Sequence, residues 1–136
     1  LENKAKPLKQ KEDLMAVYDS IIFCKFAHRY AGWDIEKICE VVEFTNGFNY
    51  SPFLLLELGE RVYSLERLYN SRQREMEQFL PDRFYEEVLT EGSSKNRQIN
   101  KNAFYEEIQR YYILRGWDRK GVPTKKKLEE LGLHGY

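Results

Sequence analysis

Residues 12–26 read EDLMAVYDSIIFCKF. Leu14, Val17, Tyr18, Ile21 and Ile22 recur at three-and-four spacing, the signature of one buried helical face. This spacing predicts a helix near residues 10–26, with Cys24 close to its end. Two residues sit oddly in it. Asp19 is a carboxylate on an apolar helix, where a charge needs a partner or a cavity to face. Cys24 is a thiol that reads either as a small hydrophobe or as a ligand.

The same periodicity recurs along the chain. In GWDIEKICEVVEFTNG, Asp34 is a good N-cap, Ile35, Ile38, Val41 and Val42 form the stripe, and Gly47 is a left-handed stop. NYSPFLLLELGERVYSLERLYNSRQ opens on Ser51 as cap and Pro52 at the first helical position. Its inner face is expected to be Leu55, Leu58, Val62, Leu65 and Tyr69, with Gly59 kept for close helix packing. FLPDRF and TEGSSKNRQ then break the pattern. Asn100 caps KNAFYEEIQRYYILRG, with Phe104, Ile108, Tyr111 and Tyr112 on one side and Gly116 as its stop. A short closing helix runs from Thr124 to Gly132. Helices are thus predicted near 10–26, 34–46, 52–76 and 101–115. No two-residue alternation marks a strand. The expected fold class is all-α: an irregular domain of about four to six helices, residues 1–136 forming one unit. Arg115 and Trp117, at a helix end, are expected to pin the chain onto the core.

Bulk properties exclude several functions. Twenty-two basic residues balance 22 acidic ones, giving a formal net charge of zero. That disfavours duplex nucleic acid or an anionic membrane as partner. No apolar run approaches the roughly 18 residues of a membrane span. Two cysteines, Cys24 and Cys39, are too few for a disulfide framework. A reducing, cytoplasmic setting is the expectation. The opening LENKAKPLKQKEDL is charged throughout and reads as no signal peptide. It lacks an initiator Met, so the chain is expected to be a piece of something longer.

His28 and His134 stand far apart, each without a second ligand at helical or hairpin spacing, and read as packing or surface residues. Cys24 and Cys39 form no zinc pattern. No glycine-rich phosphate loop is present. KKKLEE reads as a solvated helix face. Taken alone, these residues name no function.

Three longer runs do. LELGERVYSLERLYNSR (56–72), LPDRFYEE (80–87) and YYILRGWDRKGVPTKKKLEELGL (111–133) resemble the C-terminal domain of the aldehyde:ferredoxin oxidoreductases, tungsten (occasionally molybdenum) pterin enzymes. The resemblance spans about Lys4 to Leu133. It extends to Asp19-Ser20-Ile21-Ile22-Phe23-Cys24-Lys25-Phe26, where the family carries Asp-Ser-x-Gly-Leu-Cys-Lys-Phe. By that resemblance Asp19 hydrogen-bonds a pterin ring and Cys24 is the fourth thiolate of a 4Fe-4S cluster. Phe23, between them, would lie close to the cofactor. The chemistry suits the residue types: a carboxylate accepts from pterin N–H groups, and a thiolate suits iron.

The pattern departs in three ways. Ile22 replaces the family's glycine and Phe23 its leucine. The turn after the long helix is shortened to SRQREMEQFLPDR. The other cluster cysteines and the second pterin motif are absent from this chain. The resemblance therefore implies a part of an enzyme that oxidises an aldehyde to a carboxylate and passes electrons through the 4Fe-4S cluster to ferredoxin. The part is expected to be inactive and cofactor-free alone. Its partners would be the remaining domains and ferredoxin, with self-association through the exposed interface as a further expectation. A second reading is a non-catalytic helical interaction module descended from that domain. Cys24 is expected to be an accessible free thiol and Cys39 an inward one.

Overall fold

The computed structural model describes residues 3–73 and 80–135. Among them are seven helices and no strand: α1 (Ala5–Ser20), α2 (Lys25–Tyr30), α3 (Ile35–Asn46), α4 (Pro52–Gln73), α5 (Arg83–Glu86), α6 (Lys101–Arg115) and α7 (Lys125–Glu130). The only pairing of extended backbone among the described residues is an isolated bridge between Trp117 and Pro123. The all-α expectation holds. Positions 74–76 of the helix predicted over 52–76 lie outside the described residues.

Local sequence chemistry sets most of the helix ends. Asp34 Oδ1 accepts from the Lys37 N–H at 3.0 Å. Ser51 Oγ accepts from Leu54 at 3.3 Å, Asn100 Oδ1 from Ala103 at 2.9 Å and Thr124 Oγ1 from Lys127 at 3.2 Å. Each satisfies an amide that has no carbonyl partner in the first helical turn.

The first helix departs from expectation. It begins at Ala5 and stops at Ser20, and residues 21–24 turn the chain before α2. Cys24 is therefore not inside a helix; it is the extended N-cap residue of α2. Ile21 and Ile22 lie on this turn and are exposed, while Val17 and Tyr18 are buried.

The face of α4 is also rotated from the expected one. Leu55, Gly59, Ser64 and Arg67 are buried, whereas Leu58 and Tyr69 are exposed. Close approach to α1 is the reason. A Cβ on Gly59 would sit 2.0 Å from the Asp13 carbonyl oxygen and 3.0 Å from Val17 Cγ2. The glycine lets the α4 backbone lie directly on α1, which draws its small residues inward and turns part of the apolar stripe out.

Three apolar clusters hold the helices. Val17, Tyr18, Ile38, Cys39, Val42 and Leu55 join α1, α3 and α4. Ala5, Tyr111, Tyr112 and Trp117 join α1 to α6. Leu128, Leu131 and Leu133 pack under Leu65 and Leu68 of α4. Between them lies a buried polar cluster. Arg115, wholly buried, pairs with Asp13 and, at 2.8 Å, with Glu12. Tyr63 and Tyr111 donate their hydroxyls to the two Glu12 oxygens at 3.0 and 2.6 Å. Lys9 reaches Asp13 at 2.9 Å and Glu60 at 3.1 Å, and Lys127 reaches Glu60 at 2.9 Å. The charges thus compensate one another across α1, α4, α6 and α7, as burial requires. Trp117 is buried against three tyrosine rings with centroids 5.6 to 6.1 Å away. Arg115 and Trp117 stand inside the core, where a packing role would put them.

Candidate functional site

The turn between α1 and α2 carries the candidate residues, and it is a helix-termination motif. The Phe23 N–H donates to the Tyr18 carbonyl at 2.8 Å, and the Ile22 N–H donates to the Asp19 carbonyl at 3.2 Å. These two bonds define a Schellman end, whose penultimate position takes a left-handed residue. Its apolar clasp is the Phe23 ring on Tyr18, centroids 5.2 Å apart. Ile22 occupies the left-handed position with φ 57°.

Among the described residues the motif recurs twice. At the end of α6, Trp117 donates to Tyr112 and Gly116 to Ile113; at the end of α7, Leu133 donates to Leu128 and Gly132 to Glu129. There the left-handed position is glycine, with φ 69° and 67°. Of these three ends, the α1 end alone places a β-branched residue there.

The motif turns the chain so that Asp19 and Cys24 both face out. The Asp19 carboxylate is 64% exposed, and its Oδ1 lies 2.9 Å from Lys25 Nζ. Its partner is therefore a surface lysine, not a buried cation. Cys24 is a free, exposed thiol, and Cys39 is free and buried. Burial pushes the Cys39 thiol upward from its ordinary value, with Glu36 adding to the effect. The accessibility expected of the two thiols is the one found. Phe23 differs from its neighbours. Its ring is half-buried between Tyr18 and Trp33, 5.2 and 5.5 Å away, so it supports the turn from beneath.

His28 holds the turn from the other side. Its Nδ1 lies 2.9 Å from the Tyr18 hydroxyl and within hydrogen-bond reach of the Trp33 carbonyl. Burial raises the Tyr18 phenol above its ordinary value, and the Asp34 charge adds to this. The packing reading of His28 fits this geometry.

Among the described residues no group of three or more His, Cys, Asp or Glu is placed to hold a metal ion. One thiol and one carboxylate on a single turn can each give a donor to a group that other segments also hold. A metal–sulfur centre can take one thiolate from such a surface, and a heterocycle bearing N–H groups can donate to one carboxylate. The residues present fit a shared site. Asp19 and Cys24 were candidates in the sequence, but the conformation of Ile22 was not foreseen; no Gly, Asn or Pro near it signals a left-handed turn.

A family model described as aldehyde ferredoxin oxidoreductase, domains 2 and 3, matches residues 1–133. The chain is 34% identical over 135 residues to the tungsten-containing aldehyde ferredoxin oxidoreductase of Pyrococcus furiosus, covering 97% of this chain and 22% of that protein. The Thermococcus kodakarensis protein of the same name is 33% identical, with the same coverage. An aliphatic sulfonate oxidoreductase, WOR-like subunit, from Pyrococcus furiosus is 32% identical over 128 residues, 87% of this chain and 20% of that protein. The chain thus spans 20–22% of the length of these relatives.

Proposed function

The chain belongs to the aldehyde ferredoxin oxidoreductase family, and from that premise we propose that it forms the helical C-terminal part of a tungsten-containing oxidoreductase, presenting one wall of the cofactor site. The observation that carries this reading is the turn after α1, which exposes Asp19 and Cys24 together while Phe23 anchors it to the core.

In this reading Cys24 gives one thiolate to a 4Fe-4S cluster, and Asp19 accepts hydrogen bonds from a pterin ring. When bound, the tungstopterin and cluster supply the redox chemistry, taking an aldehyde to a carboxylate and moving electrons toward ferredoxin. This chain's own contribution is to bind and orient. The Schellman end fixes the direction of both polar side chains, and Lys25 offsets the Asp19 charge until a ligand competes for it. One thiolate cannot hold a four-iron cluster that needs four ligands, so the chain alone is inactive. Relatives named for an aldehyde and for an aliphatic sulfonate both match this chain. Substrate choice, on this reading, resides in other parts of the enzyme.

The test uses the full enzyme carrying this sequence. Cys24→Ala should lose iron and the cluster signal in low-temperature electron paramagnetic resonance. Asp19→Ala should retain iron but release pterin more readily on gel filtration. An unchanged cluster signal in Cys24→Ala would favour the other reading, a helical interaction module that has kept the fold without the site.

A further inference from the structure

Ile22 combines two unfavourable features at one position. Its backbone is left-handed, φ 57°, a region in which a β-branched side chain is a genuine outlier. Its side chain is also 94% exposed, so apolar burial within the chain returns nothing for the strain. The chain uses glycine in the same hydrogen-bonding motif at Gly116 and Gly132, so the geometry itself asks for no side chain. Strain of this kind is kept where the surroundings put it to use. The surroundings here are specific: Ile22 lies between Asp19, whose carbonyl accepts its N–H at 3.2 Å, and the exposed Cys24.

We propose that Ile22 is a positioning residue that keeps water away from the metal–sulfur group held through Cys24 and so lowers that group's reduction potential. The inference rests on reading Cys24 as an iron ligand. The physical basis is charge. A thiolate-ligated cluster becomes more negative when it takes up an electron, and water stabilises the more highly charged state. An apolar side chain that displaces water disfavours reduction, and solvent exposure is one of the recognised controls on such potentials. The left-handed backbone matters because it sends the side chain outward, away from the core that Phe23 enters.

The experiment is a potentiometric titration of the holoenzyme, followed by low-temperature electron paramagnetic resonance, with iron content measured on every sample. Four enzymes are compared: wild type, Ile22→Gly, Ile22→Asn and Ile22→Val. Glycine and asparagine both relax the backbone, but neither presents an apolar surface; valine keeps the apolar branch. Ile22→Gly and Ile22→Asn should shift the midpoint to higher potential with iron content unchanged, and Ile22→Val should match wild type. A midpoint unmoved in both Gly and Asn variants overturns the proposal, as does an equal shift in all three. Cys24→Ala separates the two readings. If it keeps its iron, the ligand assignment fails and this inference with it. If it loses iron while Ile22→Gly and Ile22→Asn titrate like wild type, only the inference about Ile22 fails.

Discussion

The Arg115 guanidinium, with no exposed surface, pairs with the carboxylate of Asp13, 102 positions earlier in the chain. The same guanidinium lies over the Tyr63 ring, 4.4 Å from its centroid, and donates to Glu12 at 2.8 Å. One side chain thereby ties α1, α4 and α6 together. Removing it leaves two carboxylates facing a site built for a cation. Arg115→Met keeps much of the volume and deletes the charge. It should cost about 3–5 kcal/mol, as breaking buried pairs does, read from the urea midpoint by circular dichroism. A loss under about 1 kcal/mol would show that the cluster is dispensable.

Gly59→Ala separates intrinsic propensity from packing. In an exposed helix the change would gain up to about 1 kcal/mol. Here the new Cβ would fall 2.0 Å from backbone, the Asp13 carbonyl oxygen, which cannot swing aside. Overpacking of this kind costs about 1–3 kcal/mol or more. The expected result is a net loss of stability in urea unfolding. A gain would mean that α1 and α4 leave room for a methyl group at Gly59.

Ile22→Gly should stabilise the isolated chain. The left-handed conformation costs a side-chain-bearing residue about 1–2 kcal/mol, and glycine gives back about 0.5–1 kcal/mol through the freedom of the unfolded chain. The net gain is up to about 1.5 kcal/mol, visible as a higher thermal midpoint. A lower midpoint would show that the Ile22 side chain is buried by something in the chain itself.

Stability should fall at both ends of the pH scale. Burial alone would raise the Glu60 carboxyl, but Lys127 and Lys9 outweigh it and hold the group below its ordinary value of 4.5. Glu107 is held low chiefly by the Ala5 N–H, which it accepts at 2.9 Å. A depressed folded value contributes stability above the ordinary value of 4.5, and that stability is lost as pH falls below it. On the alkaline side, burial raises Tyr63, Tyr111 and Tyr112 above 10. Their contribution is complete below pH 10 and declines as pH rises past it. The raised Cys39 thiol starts the alkaline decline near pH 9, so urea unfolding across pH 3–11 should give a plateau between about 5 and 9, and Glu60→Gln should flatten part of the acid limb. An acid limb unchanged by Glu60→Gln would remove Glu60 as a cause.

What the sequence determined by itself was short-range. Asp34, Ser51, Asn100 and Thr124 cap helices because each side chain meets an amide three residues on, and such contacts need no tertiary structure. Gly47, Gly116 and Gly132 stop helices for the same local reason. Asp19 and Cys24 were legible as candidates because a carboxylate and a thiol stand out in an apolar run. The end of α1 was not legible. Ile-Ile-Phe-Cys contains no breaker, and the chain turns there because Phe23 packs on Tyr18 and Trp33, which carries Ile22 into a conformation its own preferences oppose. The buried face of α4 was equally a tertiary decision. Hydrophobicity alone favoured Leu58 and Tyr69, but contact with α1 required the missing side chain of Gly59. Arg115 was legible as a residue that pins the chain, but its partner Asp13, 102 positions away, was not until folding joined them. Only then does burial strengthen their attraction and make each necessary to the other, because electrostatic pairing depends on distance and dielectric, and neither is written in the order of residues.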